Sequence, residues 1–279
     1  MIPVASVVTQ KSLSEFLLLK MSLEQYHDVK WYLSTDEHAA SALKDFSNVK
    51  CQSLVKTDDC SHGTNDPVKN RLFLELVMTK FDAMKAGISE NGRCLFIDAD
   101  IFFTNPIEDR VLSLLNDERV DAVLSPHMTN NLGLETQVGH FNVGFFGMRN
   151  IEYLKLHEAM SWRHKEFGMY YEQQPLQFSG YNYLTVNLPI NYNIGWWRFN
   201  EQHTRQRLNL LNVKDNKIHF GDLPAVCFHV HALKKLDYDN YGKFLMDKVL
   251  DLMKQCNNEK YNQVLKFVEV NLEDGKQVK

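Results

Sequence analysis

The chain predicts an α/β protein with a mostly parallel central sheet flanked by helices. Two observations carry this expectation. The first 55 residues alternate β-rich runs with stretches of helical period, a rhythm that implies parallel strands joined by right-handed crossovers. Further on, the apolar run Cys94-Leu95-Phe96-Ile97 enters Asp98-Ala99-Asp100, and Ile101-Phe102-Phe103 follow at once. A short apolar run with polar borders reads as a strand buried on both faces. Asp98 and Asp100 then stand at its carboxyl end, where open α/β sheets place their ligands.

In order, Ile2 to Val8 reads as a strand, Lys11 to Tyr26 as a helix, and Trp31-Tyr32-Leu33 as a second strand. Glu37 to Phe46 reads as a helix and Val49 to Val55 as a third strand. A nucleotide pocket is expected at the strand ends, near Thr9 and Asp36. Lys56 to Asn70 is polar and reads as a long loop, either a flap or a surface excursion. Leu72 to Lys85 predicts an amphipathic helix closed by Gly87 and the Glu90-Asn91-Gly92 turn. Lys80 on that helix is either a phosphate contact or an ordinary solvated lysine.

Beyond the acidic strand, Ile107 to Leu115 reads as a helix and Asp121 to Ser125 as a core strand. Thr129 to Gly139 reads as a loop over the site, and Phe141 to Met148 as a buried strand. Its two glycines mark close approach of a ligand or of backbone. Asn142 within it needs hydrogen bonds, from a sugar hydroxyl or from a neighbouring loop. Ile151 to Phe167 and Tyr170 to Phe178 read as helices. Glu172-Gln173 at the start of the second either face the pocket or favour the positive end of the helix dipole. Tyr183 to Leu188 reads as a strand. Trp196, Trp197 and Phe199 either stack on a sugar ring or belong to the core. Ala225 to Ala232 reads as the last strand, with His229 and His231 on one face of it. Lys234-Lys235 follow. Tyr238 to Cys256 and Glu259 to Val270 read as amphipathic helices outside the sheet.

Two ionised carboxylates beside a core strand are costly unless a cation pairs with them. Hard oxygen ligands suit Mg²⁺ or Mn²⁺, which commonly bridge carboxylates to substrate phosphates. His229 or His231 would be a third ligand, although a strand histidine is as readily a satisfied core residue. The 279 residues allow one large domain or two small ones, and 44% hydrophobic content supports a full core. A net charge of −4 gives no electrostatic reason to expect a nucleic-acid partner. No apolar run is long enough to expect a transmembrane segment, and the first residues lack the pattern of a secretory signal. The five cysteines are scattered without metal or disulfide spacing, so a cytoplasmic location with reduced thiols is expected.

Together these pieces resemble the GT-A glycosyltransferases that use nucleotide-diphosphate sugars, a family that includes glycogenin and bacterial galactosyltransferase-type enzymes. Leu95 to Ile101 followed by Asn105-Pro106 is similar to their DxD motif. Phe141-Asn142-Val143-Gly144 is similar to their FNxG strand, and Glu172-Gln173 matches a pair usually written Asp-Gln. His229 through Lys235 resembles their His-x-x-Gly-x-x-Lys, with Ala232 in place of the Gly and His231 leaving the ligand open between two histidines. The resemblance implies a Rossmann-like GT-A domain over residues 1–240 and a C-terminal helical extension over 241–279.

It further implies a hexosyl- or pentosyltransferase using Mn²⁺ or Mg²⁺ held by Asp98, Asp100 and one of His229 and His231. Lys80 and Lys235 would meet the diphosphate, and Asn142, Glu172 and Gln173 would orient the donor sugar or the acceptor. The donor would be a nucleotide-diphosphate sugar, in first place a UDP-sugar, and the acceptor a glycan or other hydroxyl, with retention expected. If the enzyme inverts, Glu172 is the first candidate for the base. Two rivals stand beside this reading: a sugar-nucleotide nucleotidyltransferase, and a non-catalytic sugar-binding scaffold. The first usually carries a Gly-rich loop after its first strand, and Val8-Thr9-Gln10-Lys11-Ser12 has no glycine.

Overall fold

In the computed structural model, residues 1–54, 66–129, 131–199, 205–233 and 240–274 are described. The strands are β1 (Ile2–Val8), β2 (Val29–Thr35), β3 (Val49–Leu54), β4 (Cys94–Ile97), β5 (Ile101–Phe103), β6 (Ala122–Pro126) and β7 (Phe141–Met148). They continue with β8 (Thr185–Asn187), β9 (Ile194–Gly195), β10 (Leu211–Lys214), β11 (Lys217–Phe220), β12 (Leu223–Pro224) and β13 (Cys227–His229). The helices are α1 (Leu13–Glu24), α2 (Glu37–Leu43), α3 (Pro67–Met78), α4 (Lys80–Asn91) and α5 (Asp109–Asn116). After them come α6 (Leu132–Val138), α7 (Ile151–Trp162), α8 (Gln173–Ser179), α9 (Asn240–Gln255) and α10 (Glu259–Asp274).

The seven-stranded main sheet has the order β3-β2-β1-β4-β7-β6-β8. β1, β2, β3 and β4 are parallel, as the opening rhythm predicts, and β8 is parallel to β6. β7 runs antiparallel to both β4 and β6. Side chains alternate across this sheet. Leu95 and Ile97 join one core with Val4, Phe16, Leu19 and Trp31, while Cys94 and Phe96 join the other with Ala5, Phe81, Met84 and Tyr153. Both faces are covered, which is why β4 is apolar at every position.

A second, small sheet of order β5-β13-β9 stands beyond β4. The chain turns at Asp98-Ala99-Asp100 between β4 and β5, so the acidic pair lies at the seam of the two sheets. β13 pairs antiparallel with β5, His229 opposite Ile101, and parallel with β9, His229 opposite Gly195. A third core holds Phe102, Phe228, Ile218 and Phe220 against Leu245, Val249 and Met253 of α9 and Tyr261 and Val264 of α10. α1 buries Phe16 and Leu19 in the first core and Leu18 in the third, so its apolar residues surround it. Among the described residues, no helix is long and apolar enough to cross a membrane.

The structure corrects several expected elements. The single helix over Leu72 to Lys85 is two helices, α3 and α4, meeting at Thr79. The Thr79 hydroxyl donates to the Leu76 carbonyl, and its own carbonyl accepts from the Ser34 hydroxyl as well as from Asp82 N–H. Gly87 lies inside α4 rather than closing it. A Cβ on it would stand 2.4 Å from Cys94 Sγ, so the glycine lets α4 press on β4. Gly92, at φ 71°, is the residue that ends the helix. The expected loop over Thr129 to Gly139 contains α6, whose start is capped by the Asn131 side chain accepting from Leu134 N–H. Of the expected loop over Lys56 to Asn70, residues 56–65 lie outside the described residues, and Asp66 caps α3. The antiparallel meander β10-β11-β12 is not anticipated by the sequence reading.

Candidate active site

Asp98 N–H donates to the Gly144 carbonyl, 2.8 Å away, which ties the end of β4 to β7. Ligand atoms of Asp98, Asp100 and His229 lie within 4.8 Å of one another. His229 Nε2 is 3.1 Å from Asp100 Oδ1 and 3.8 Å from Asp98 Oδ2. His231 Nδ1 stands 2.8 Å from the other Asp100 oxygen, Oδ2. The two histidines therefore share Asp100, and His229 is the one gathered with both aspartates.

Space for this cluster depends on Gly144. A Cβ there would lie 2.4 Å from His229 Cε1 and 2.7 Å from Asp98 Oδ2. The close approach expected of this glycine is to the site's own side chains. Electrostatics separate the two aspartates. Burial pushes the Asp98 carboxyl up, with Lys80 and His229 offsetting it only in part. Burial acts on Asp100 in the same sense, but His229 and His231 outweigh it and hold that carboxyl well below the usual range. For His229, burial disfavours the charged ring, and Asp100 and Asp98 override this to raise its pKa. Two carboxylates and one imidazole, drawn together in a pocket that a methyl group would fill, could hold a divalent cation.

The cluster opens into a cavity of about 390 Å³ whose lining includes Asn142, Tyr170, Tyr171, Gln173, Trp196 and Trp197. Asp98, Glu172 and His229 also line it. Trp196 and Trp197 face the cavity, whereas Phe199 packs edge-to-face on Phe220 in the third core. Glu172 and Lys80 form a buried ion pair of 2.8 Å, with the Lys80 ammonium 4.7 Å from the centre of the Phe96 ring. Burial works against the charge on Glu172, and Lys80 outweighs it, lowering its pKa. The Glu172 carbonyl accepts from His157 Nε2 at 2.7 Å. Before it, Tyr171 adopts φ 39°, held by its hydroxyl on Asn70 Oδ1 and by stacking on His164. A strained backbone beside a cavity is where functional sites commonly store it.

Gln173 donates to the Val138 carbonyl and accepts from Asn142 Nδ2. Asn142 also meets Asn193 and His127, two buried residues to which the sequence reading assigns no role. Nothing in an isolated Asn or His marks them. Both become visible only when β6, β7 and β9 bring them to one place. His127 donates to the Gly139 carbonyl, and burial pushes its pKa down to about 4. Its own carbonyl accepts from Trp197 Nε1 and Arg198 Nε.

Thr9 and Asp36 lie at the carboxyl ends of β1 and β2 and are not among the residues lining this cavity. Asp36 accepts from Ala39 N–H and Gln10 N–H, which caps α2 and fixes the turn after β1. Thr9 N–H donates to the Ser12 hydroxyl in the same turn. Lys235 lies outside the described residues.

No protein-family model matches the chain, and no curated protein matches it. Solved structures do. The galactosyltransferase LgtC in complex with donor and acceptor sugar analogs aligns over 95% of this chain and 100% of its own, with a TM-score of 0.55 and 10% identity. The apo-form glycosyltransferase GlyE of Streptococcus pneumoniae TIGR4 aligns over 97% of this chain and 64% of its own, with a TM-score of 0.57 and 12% identity. The seven-stranded mixed sheet, the small sheet at the end of β4 and the flanking helices give this chain the GT-A fold of those glycosyltransferases.

Proposed function

We propose that the chain is a metal-dependent glycosyltransferase. It moves a sugar from a nucleotide-diphosphate donor, a UDP-sugar in the first instance, to a hydroxyl of a glycan or similar acceptor, with retention. The observation that carries this reading is the gathering of Asp98, Asp100 and His229 into one cluster, of which Asp98 and His229 line the aromatic-walled cavity. Those three residues would hold Mn²⁺ or Mg²⁺, and when bound the ion supplies Lewis-acid neutralisation of the departing nucleoside diphosphate.

The remaining residues have distinct duties. Thr9 and Asp36 mark the strand ends where the nucleoside would lie, and Lys235 would add charge at the diphosphate. Trp196 and Trp197 offer apolar faces to a sugar ring. Asn142 and Gln173, hydrogen-bonded to each other, present polar edges for sugar hydroxyls. Glu172 is a poor base, because Lys80 stabilises its carboxylate. That favours transfer on one face of the sugar over an inverting reaction that draws a proton from the acceptor. Residues 1–240 would carry the transferase unit and 241–279 a helical extension. A cytosolic setting fits the free thiols of Cys94, Cys227 and Cys256.

The test is a panel of nucleotide-diphosphate sugars incubated with Mn²⁺ and scored for slow release of nucleoside diphosphate. Release from one donor that stops with chelator supports the reading and names the donor. No release, together with no Mn²⁺-dependent binding of any nucleoside diphosphate, would replace it with a non-catalytic binding protein.

A further inference from the structure

Asn193 sits behind His229, fully buried, at φ 47° in the left-handed region that asparagine tolerates better than most residues. Its Oδ1 is 3.0 Å from His229 Nδ1. Its Nδ2 is 2.8 Å from Asn142 Oδ1 and 3.1 Å from Ser125 Oγ. Which end of an amide points where has to be deduced from groups whose donor or acceptor character is not in question. Here the backbone supplies them. Gly144 N–H donates to Asn142 Oδ1 at 2.9 Å, so that atom is an oxygen. The Asn193 atom facing it must then be the NH₂ group. Its Oδ1 must face His229, and His229 Nδ1 must carry a proton to meet it. Nε2 is left as the ring atom turned toward Asp98 and Asp100.

The opposite end of the chain of bonds is polarised in the same way. Gln173 Nε2 donates to the Val138 carbonyl at 3.0 Å, so Gln173 Oε1 accepts from Asn142 Nδ2 at 3.3 Å. His127 Nδ1 donates to the Gly139 carbonyl at 2.7 Å, so its Nε2 accepts from the same Asn142 group at 3.2 Å. The polarity runs without a break from the end of α6 to the imidazole of the acidic cluster.

We propose that Asn193 is the positioning residue of this site: it fixes His229 with a protonated Nδ1 and a cation-facing Nε2, and ties that ring to the Asn142–Gln173 edge of the cavity. The cation is taken from the proposed function above, whereas the orientation of the ring is not. A histidine ligand held through its second nitrogen is better aimed and more basic, and losing that partner typically costs 10–100-fold in metal affinity.

Two variants separate the two ends of the relay. Asn193→Gly removes the side chain at a φ that glycine adopts freely. Asn193→Asp keeps an acceptor for His229 and loses the donor to Asn142. NMR of the metal-free protein with ¹⁵N-labelled histidine should show a His229 Nδ1–H that exchanges slowly with water in the native chain and in Asn193→Asp, and not in Asn193→Gly. Mn²⁺ affinity, measured by calorimetry, should fall about 10–100-fold in Asn193→Gly and less in Asn193→Asp. Absence of the slow Nδ1–H in the native protein, or its survival in Asn193→Gly, overturns the proposal. Equal Mn²⁺ affinity in the native protein and Asn193→Gly does the same. If the native protein takes up no Mn²⁺ while the slow Nδ1–H is present, the metal reading falls and the positioning of His229 by Asn193 stands.

Discussion

Gly144 faces His229 across a gap that no side chain fits: a Cβ on it would stand 2.4 Å from the ring. The backbone of β7 therefore sets how near His229 can come to Asp98. Gly144→Ala must push the ring or the carboxylate aside. It is expected to cost about 1–3 kcal/mol of stability through overpacking, and to weaken Mn²⁺ binding. Urea unfolding and Mn²⁺ titration on the same sample check both. Unchanged Mn²⁺ affinity in a folded variant would show that the cluster tolerates displacement.

Asp100 is the residue both histidines share. Asp100→Asn keeps the shape and removes the charge. Mn²⁺-dependent release of nucleoside diphosphate should vanish while the circular dichroism spectrum is retained. Near-native turnover in this variant would sink the metal assignment.

Lys80 and Glu172 are buried partners with side-chain exposures of 3% and 10%. Lys80→Met leaves an uncompensated carboxylate and should destabilise the protein by roughly 3–5 kcal/mol. Adding Glu172→Gln should restore much of that loss, because the charge left behind is the main cost. A double-mutant cycle in urea measures it, and simple additivity of the two changes would contradict it.

His157 and His127 are buried rings whose pKa values fall from 6.5 to about 4 in the fold. Burial is the leading cause for both, partly offset by the bonds to the Glu172 and Gly139 carbonyls. Between pH 4 and 6.5 the unfolded chain thus binds more protons than the native one, and stability falls as the pH falls through that window. The shift corresponds to about 3 kcal/mol per ring. His157→Gln, which can still donate to Glu172, should flatten this part of the pH–stability curve. Melting temperatures at pH 7 and pH 5 for both proteins provide the comparison, and an unaltered slope would contradict the shift.

Local chemistry made part of this molecule readable from its residues. The parallel β1–β2–β3 unit follows from apolar runs alternating with helical periods, and a run as apolar as Cys94 to Ile97 has to be covered on both faces. The bounds of β7, Phe141 to Met148, are readable because apolar residues and glycines end there together at Arg149-Asn150. Helix boundaries were less readable. The break at Thr79 is met by a hydrogen bond from Ser34, 45 residues earlier, and α6 starts at its Asn131 cap.

The site divides along the same line. By itself the sequence determined that two carboxylates stand at the end of a buried strand, because Asp98 and Asp100 follow β4 directly and side chains there have only a few places to go. Tertiary structure alone decided that His229 joins them and His231 lies on the far oxygen of Asp100. That choice rests on the pairing of β13 with β5 and β9, long-range contacts with no trace in local periodicity. It also decided that the charge of Lys80 is committed to Glu172. The same long-range packing brings Asn193 and His127, 66 residues apart in the chain, into one hydrogen-bonded edge through Asn142. A side chain's type limits the bonds it can make, but only the packing of distant strands sets which of those bonds it makes.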